Sequence, residues 1–343
     1  MKQSHPYVVG IKHRFAITPL LQSHLLEFSN DLPFERAVSL LATAIPSAQV
    51  SSSQAQRLMQ HFGELDQMEE LLQSPGFGVD ETQETPAIEV LYVQADGGHL
   101  STDDGYRETK VGRLFAAHQV KQISTDNEEV NLRNRIDRSD YLAHLGTHTD
   151  FTNRLNPLIK AHLENHPKAK MVAISDGADW IASWIKRDFP EALIILDLFH
   201  ALEKVGEFAG MVFSSSTSRE KWVDERKADL VAGKVNKVIM AIRSKAYDRR
   251  PSITEKARVV IQYFEKNSYR MKYDEYRAAG YCIGSGAIES AISTVVQQRC
   301  KLVGQRWTKR VAAVLNVRAA FKSNKRPQIR KLINHQMGHS WVA

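Results

Sequence analysis

Between residues 15 and 75 apolar side chains recur at helical spacing. Leu20, Leu21, Leu25 and Leu26 form one set, Phe34, Val38, Leu41 and Ile45 a second. Ala55, Leu58, Met59 and Phe62 follow the cap signal Ser51-Ser52-Ser53 as a third. Two short helices around a break at 45–53 fit a helix-turn-helix, although any three-helix packing unit gives the same pattern. A polar, turn-rich stretch from Ser74-Pro75-Gly76 to Pro86 predicts a boundary near residue 86.

Beyond it the pattern becomes strand-like. Residues 88–95 form a β-rich run, 110–115 and 119–124 are the second and third expected strands, and 171–175 and 193–196 the fourth and fifth. Helical patterns cover 141–163 and 180–188. Three strands, then helix, strand, helix and strand, predict an α/β sheet of mixed strand order. From 201 to 276 the pattern is helical again, with Trp222, Leu230, Val235, Val238 and Ile239 on one face, which reads as an all-helical insertion. The expected organisation is a helical, helix-turn-helix-like unit and linker (1–86), a first part of the α/β domain (87–200), the insertion (201–280) and a closing part (281–343).

Composition narrows the class. Among 343 residues, 43% are hydrophobic and 25% charged, the balance of a globular chain rather than a fibrous or disordered one. No run of apolar residues reaches the length of a membrane span. Two cysteines, Cys282 and Cys300, cannot build a disulfide framework or a four-cysteine zinc site. With no apolar signal region in residues 1–13, they lead to the expectation of a cytoplasmic protein.

Charge is unevenly distributed. Residues 290–343 contain no Asp or Glu, while Arg299, Lys301, Arg306, Lys309, Arg310, Arg318, Lys322, Lys325, Arg326, Arg330 and Lys331 give +11. With +7 overall, residues 1–289 carry 7 − 11 = −4. Such a segment suits a phosphate backbone, whose counterions each cation releases; a solubilising tail has the same composition.

Three acids stand where chemistry could be done. Asp96 follows the first strand and precedes Gly97-Gly98, Asp176 follows the fourth and precedes Gly177, and Glu289 comes just after the turn Gly284-Ser285-Gly286. Carboxylates from adjacent strand ends, joined by one from a helix, make an all-oxygen site for hard divalent ions, and such sites perform phosphoryl chemistry. Singly, an Asp-Gly after a strand is turn chemistry, and a Glu in a first helical turn serves the helix dipole. Asp197 and His200 share one face at a helix start. They are capping and packing residues by spacing alone, and Asp197 rivals Asp176 as the second carboxylate. Gly284-Ser285-Gly286 lacks the Lys-Ser/Thr of a phosphate-binding loop, and no Gly-x-Ser-x-Gly elbow supports a hydrolase.

Several segments together resemble DDE-type bacterial insertion-sequence transposases, in particular the ISKra-type group with its Mutator-like relatives. They are Phe34-Glu35-Arg36-Ala37 through Phe62-Gly63-Glu64, and Ala95-Asp96-Gly97-Gly98-His99 with Arg107 through Arg113. Ser175-Asp176-Gly177-Ala178-Asp179-Trp180-Ile181, Leu196-Asp197-Leu198-Phe199-His200-Ala201, and Gly284 through Ser290 with Arg299 through Trp307 complete the set. Each motif is short, but their order and spacing span most of the chain.

The resemblance implies a ribonuclease-H-like catalytic fold interrupted by a helical insertion. It implies catalytic and metal-binding Asp96, Asp176 and Glu289, an accessory Asp197 and His200, and two Mg²⁺ ions for which Mn²⁺ substitutes. The implied activity is cleavage at terminal inverted repeats followed by attack of the freed 3′-hydroxyl on target DNA. Arg299, Lys301, Arg306, Lys309 and Arg310 are expected to grip the double-stranded DNA backbone. Trp307 either stacks on a splayed base or packs in the core. A homodimer or larger assembly on DNA is expected, without membrane association, in a bacterial cytoplasm and at the nucleoid when DNA-bound. The alternatives are a catalytically silent DNA-binding descendant and a nuclease that cuts without joining.

Overall fold

A computed structural model of the chain describes residues 15, 17–77, 87–122, 134–284 and 291–336. Four helices come first: α1 (Pro19–Asp31), α2 (Phe34–Ala44), α3 (Ser52–Gly63) and α4 (Asp66–Gln73). Their starts follow local chemistry. Thr18 accepts from the Leu21 amide ahead of Pro19, and Ser51 and Gln54 cap each other reciprocally at the start of α3.

A long hairpin follows, β1 (Val90–Thr102) and β2 (Gly105–Ala116), turning at Asp103-Asp104 into Gly105, whose φ of +95° favours glycine. The first strand therefore runs beyond residue 95 and carries Asp96 in its middle. Gly97-Gly98, expected as a turn, pair with Lys110 and Thr109. Residues 119–124 were expected as a third sheet strand. Among them β3 (Val120–Gln122) pairs with β4 (Asn134–Ile136) in a separate ribbon, and 123–124 lie outside the described residues. The third strand of the sheet is instead β5 (Asp140–Leu145), cut from the N-terminal end of the expected 141–163 helix. Thr147 then caps α5 (His148–Asn165).

β6 (Lys170–Ser175), α6 (Asp179–Asp188) and β7 (Leu193–Leu196) complete a five-stranded sheet of order β5-β2-β1-β6-β7. β5, β2 and β1 pair antiparallel, whereas β1, β6 and β7 run parallel. The fold is thus α/β with a mixed sheet, as the strand pattern implies.

Side chains alternate between the faces of this sheet, and each face has its own core. Leu91, Val93, Met171 and Ala173 join one core with α1, α3, α5 and α13 (Val311–Lys322). Tyr92, Val172, Ile174 and Ile195 join the other, formed by the helical insertion. The insertion comprises α7 (Leu198–Val212), α8 (Ser216–Val231), α9 (Val235–Ala246), α10 (Pro251–Asn267) and α11 (Tyr273–Ala278). The five residues expected to share a face there, Trp222 to Ile239, are all buried in this core, but a turn at Gly233 divides them between α8 and α9.

A helical stretch containing α12 (Gln298–Cys300), then α13 and α14 (Arg326–Gln336), return to the first core. The N-terminal helices close around α13. A Cβ at Gly63 would stand 2.2 Å from the Ala313 carbonyl oxygen, so α3 and α13 touch backbone to backbone. Among the described residues, no helix is long and apolar enough to cross a membrane.

Arg318 ties the two ends of the chain together. Its buried guanidinium donates to the Asn30 carbonyl at 2.7 Å, the Thr294 carbonyl at 2.7 Å and the Asp31 carboxylate at 2.7 Å. Arg318→Met is expected to strip these acceptors of their donor and lower stability by about 3 kcal/mol. Urea unfolding at neutral pH checks this: the midpoint should fall at unchanged slope, and an unaltered midpoint would refute the tie.

Candidate functional site: an aspartate row at the sheet edge

Strand register brings the aspartates together. β1 and β6 pair Gln94 with Ile174, an offset of 174 − 94 = 80, and Asp96 and Asp176 differ by the same 176 − 96 = 80. β6 and β7 pair Ser175 with Leu196, an offset of 196 − 175 = 21, and Asp176 and Asp197 also differ by 197 − 176 = 21. The three residues therefore continue one row across three parallel strands, spaced by roughly 4.8 Å per strand. Alternation puts them on the same face as Tyr92, Ile174 and Ile195, the face covered by the insertion.

Each carboxylate is steadied locally. Asp96 Oδ1 accepts from the Gly97 amide at 2.7 Å, and Asp176 Oδ1 from the Ala178 amide at 2.9 Å. Asp197 caps α7 through the Phe199 amide at 2.8 Å and is buried, so its expected capping role and its place in the row coexist. Burial pushes the Asp96 carboxyl above its ordinary pKa. The Gly97 hydrogen bond works against this, the Asp176 charge adds to it, and His200 opposes it. His200, half-buried, is pulled down by desolvation. Asp197, a 3.0 Å contact with Glu203, and Asp176 more than offset that and leave it above its usual value.

Three donors from the insertion grip the strand ends, and nothing in the sequence pattern singled them out. Tyr263 donates to the Asp176 carbonyl at 3.0 Å, and Tyr273 to the Leu196 carbonyl at 2.9 Å. Buried Arg270 donates to Ser175 Oγ at 3.2 Å and to the Gly177 carbonyl at 3.3 Å. Gly177 turns at φ +103° directly beneath the Tyr263 ring, where a Cβ would come within 2.8 Å. Tyrosine and arginine spacing on a helix carries no mark of such a target, which is why sequence reading missed them.

Glu289 lies outside the described residues, as do its neighbours from 285 to 290. The chain on either side is placed. Cys282 donates its amide to Tyr92 Oη at 3.0 Å, and Leu198 donates to the Ile283 carbonyl at 3.0 Å. A Cβ on Gly284 would lie 3.3 Å from Asp197 Oδ1. On the far side Ile292 covers Gly98, two residues along β1 from Asp96. The described chain therefore reaches the row at Asp197 and, where it resumes, packs against Gly98 of the strand that carries Asp96.

The expected DNA-contacting residues divide. Lys301, Arg306, Lys309 and Arg310 are exposed. Arg299 is not: it is 0% exposed, donates Nε to the Ser29 carbonyl at 3.0 Å, and lies 5.0 Å from the Phe34 ring and 5.2 Å from the Trp307 ring. It cannot lie along an open backbone groove as its exposed neighbours can. Trp307 is half-buried and donates Nε1 to the Cys300 carbonyl at 3.0 Å, so packing accounts for its position.

Among the described residues no cluster of three His, Cys, Asp or Glu side chains is close enough to hold a metal ion. The donor chemistry of the row nevertheless fits a hard cation. Asp96 and Asp176 are oxygen ligands whose mutual repulsion a divalent ion would relieve. Residues 8–331 match the Uncharacterised protein family (UPF0236), and the chain belongs to that family. No curated protein matches the sequence.

Asp96 is paying a desolvation and repulsion cost that its amide would not. Below 3.8, the ordinary carboxyl value, Asp96 is protonated in folded and unfolded chains alike, and the cost is absent. Above its raised folded value the cost is complete. In metal-free buffer, Asp96→Asn is therefore expected to be more stable than the parent at neutral pH, with the difference shrinking to nothing as the pH falls through 3.8. Thermal melts across pH 3 to 8 measure this, and a variant less stable at pH 7 would contradict it.

Proposed function

We propose that this UPF0236 member is a metal-dependent DNA strand-transfer enzyme, a transposase of the DDE type. The observation that carries the reading is the register-matched row of Asp96 and Asp176 on one face of the sheet. The strand order β5-β2-β1-β6-β7, three antiparallel strands followed by two parallel additions, agrees with the ribonuclease-H-like fold that the transposase resemblance implies. So does a helical insertion that begins directly after the row.

In this reading Asp96, Asp176 and Glu289 would hold two Mg²⁺ ions. When bound, the ions would supply Lewis-acid charge at both the attacking and the leaving oxygens of an in-line displacement. The protein's own residues do the rest. Asp197 fixes the start of α7 and, with Glu203, keeps His200 inclined to protonation beside the row, where a scissile phosphate would bring negative charge. Tyr263, Arg270 and Tyr273 hold the row's backbone rigid. Lys301, Arg306, Lys309 and Arg310 attract the DNA backbone from an exposed segment. Joining two DNA ends calls for a dimer or larger assembly on DNA.

The test is incubation of the protein with a labelled duplex carrying the inverted repeats that flank its gene, in Mg²⁺ or Mn²⁺, beside Asp96→Asn. Nicking at the repeat end plus a joined product is expected. Both should fall at least about 100-fold in the variant while DNA binding persists. Nicking without joining would point to a nuclease. Binding without a cut in either protein would replace the proposal with a non-catalytic DNA-binding role.

A further inference from the structure

A cleft of about 240 Å³ opens on the side of the molecule where α2, α3 and the 305–310 turn meet. Phe34 and Trp307 flank it, Arg306 and Arg310 stand on its wall with Glu35, and Arg299 lies at its floor. Counting charges, these residues sum to 3 − 1 = +2. Exposed Glu35 is the acid among them.

Two observations there point to an anion. Both terminal nitrogens of Arg299 are buried, and neither has a hydrogen-bond partner among the described residues. A guanidinium presents five donors and stays charged; the faces of Phe34 and Trp307 offset part of the cost of drying it, and an anion would offset the rest, which its two unpaired terminal nitrogens leave standing. Arg318 repels the Arg299 charge, and Asp31, the carboxylate that favours it, is already engaged by Arg318. Independently, α2 begins at the cleft with Pro33 as its cap and no side-chain cap hydrogen bond, so its first amides carry the positive end of the helix dipole, with Glu35 in the first turn.

We infer that this cleft is a phosphate-binding site, in which the start of α2 with Arg306 and Arg310 receives one phosphoryl group above the buried charge of Arg299. It is separate from the aspartate row and needs no divalent metal. Phosphate monoesters, free phosphate and a single backbone phosphodiester share the required chemistry: a compact, doubly ligated oxyanion suited to a planar guanidinium. The two aromatic walls suit a phosphate presented with an attached base or sugar better than a bare ion.

Trp307 gives the site its own reporter. In EDTA at constant ionic strength, inorganic phosphate and a short single-stranded oligonucleotide are titrated separately while tryptophan fluorescence is followed. Trp307→Phe identifies which part of the signal belongs to the cleft. A saturable change with at least one probe is expected, weakened at least about tenfold in the double variant Arg306→Ala/Arg310→Ala. Both of those arginines are exposed, so the variant should fold whether or not Arg299→Gln does. Tighter response to the oligonucleotide identifies a nucleic-acid phosphate as the occupant, and tighter response to inorganic phosphate identifies a free anion. No saturable response to either, or one unaltered in the double variant, overturns the inference. Because metal is absent, the result stands apart from whether the aspartate row cleaves DNA.

Discussion

Parallel pairing of β1, β6 and β7 in a single register is the constraint on which the candidate site depends. A slip of one residue between β1 and β6 would send Asp96 and Asp176 to opposite faces of the sheet. Were β6 the strand to slip, Val172 and Ile174 would also leave one core for the other. Because both faces are buried, hydrophobic packing enforces the register, and the register in turn aligns the acids. The cost of holding charged groups this close is visible at Asp96, whose carboxyl is kept above its ordinary pKa first by burial and then by Asp176. Structure that bears such a cost is structure poised for a cation or a proton.

Two helical masses set the boundaries of that site. The insertion covers the row's face and reaches down to the strand ends through Tyr263, Arg270 and Tyr273. The C-terminal helices come around from the opposite core, bringing Ile292 over Gly98. The row thus sits where these two coverings approach one another. The C-terminal segment has a second job besides presenting positive charge. Arg318 and Lys325 are about 1% exposed and serve as internal fasteners, Arg318 to α1 and Lys325 to the carbonyls of Leu71 and Ser74.

Much of this was legible in the sequence, for reasons that also explain the failures. Asp96 and Asp176 stood out because β-rich runs precede them, and apolar runs buried on both faces are hard to mistake. The length of β1 was not legible, since Gly97-Gly98-His99 reads as a turn until β2 is there to pair with it. β5 was absorbed into a helix because Tyr141, Leu142 and Leu145 fit helical spacing as well as a short strand. The basic tail was read as one surface, yet composition cannot distinguish Lys301, which is exposed, from Arg299, which lies between two aromatic rings. Only the folded chain shows which cations are spent inside. The place of Asp197 in the row was half-visible: its spacing to His200 suggested a cap, and the register with β6 adds the rest.

Binding of Mn²⁺ to the metal-free protein, followed by electron paramagnetic resonance of the free ion, decides whether the aspartate row is a metal site. The account requires saturable binding by the parent chain. Binding should weaken at least about tenfold in Asp96→Asn and in Asp176→Asn and be unchanged in Arg306→Ala, whose neighbour Trp307 bridges to Thr102, six residues along β1 from Asp96. Equal Mn²⁺ binding by the parent and both aspartate variants would mean that the row is a structural feature of the sheet edge and not a metal site.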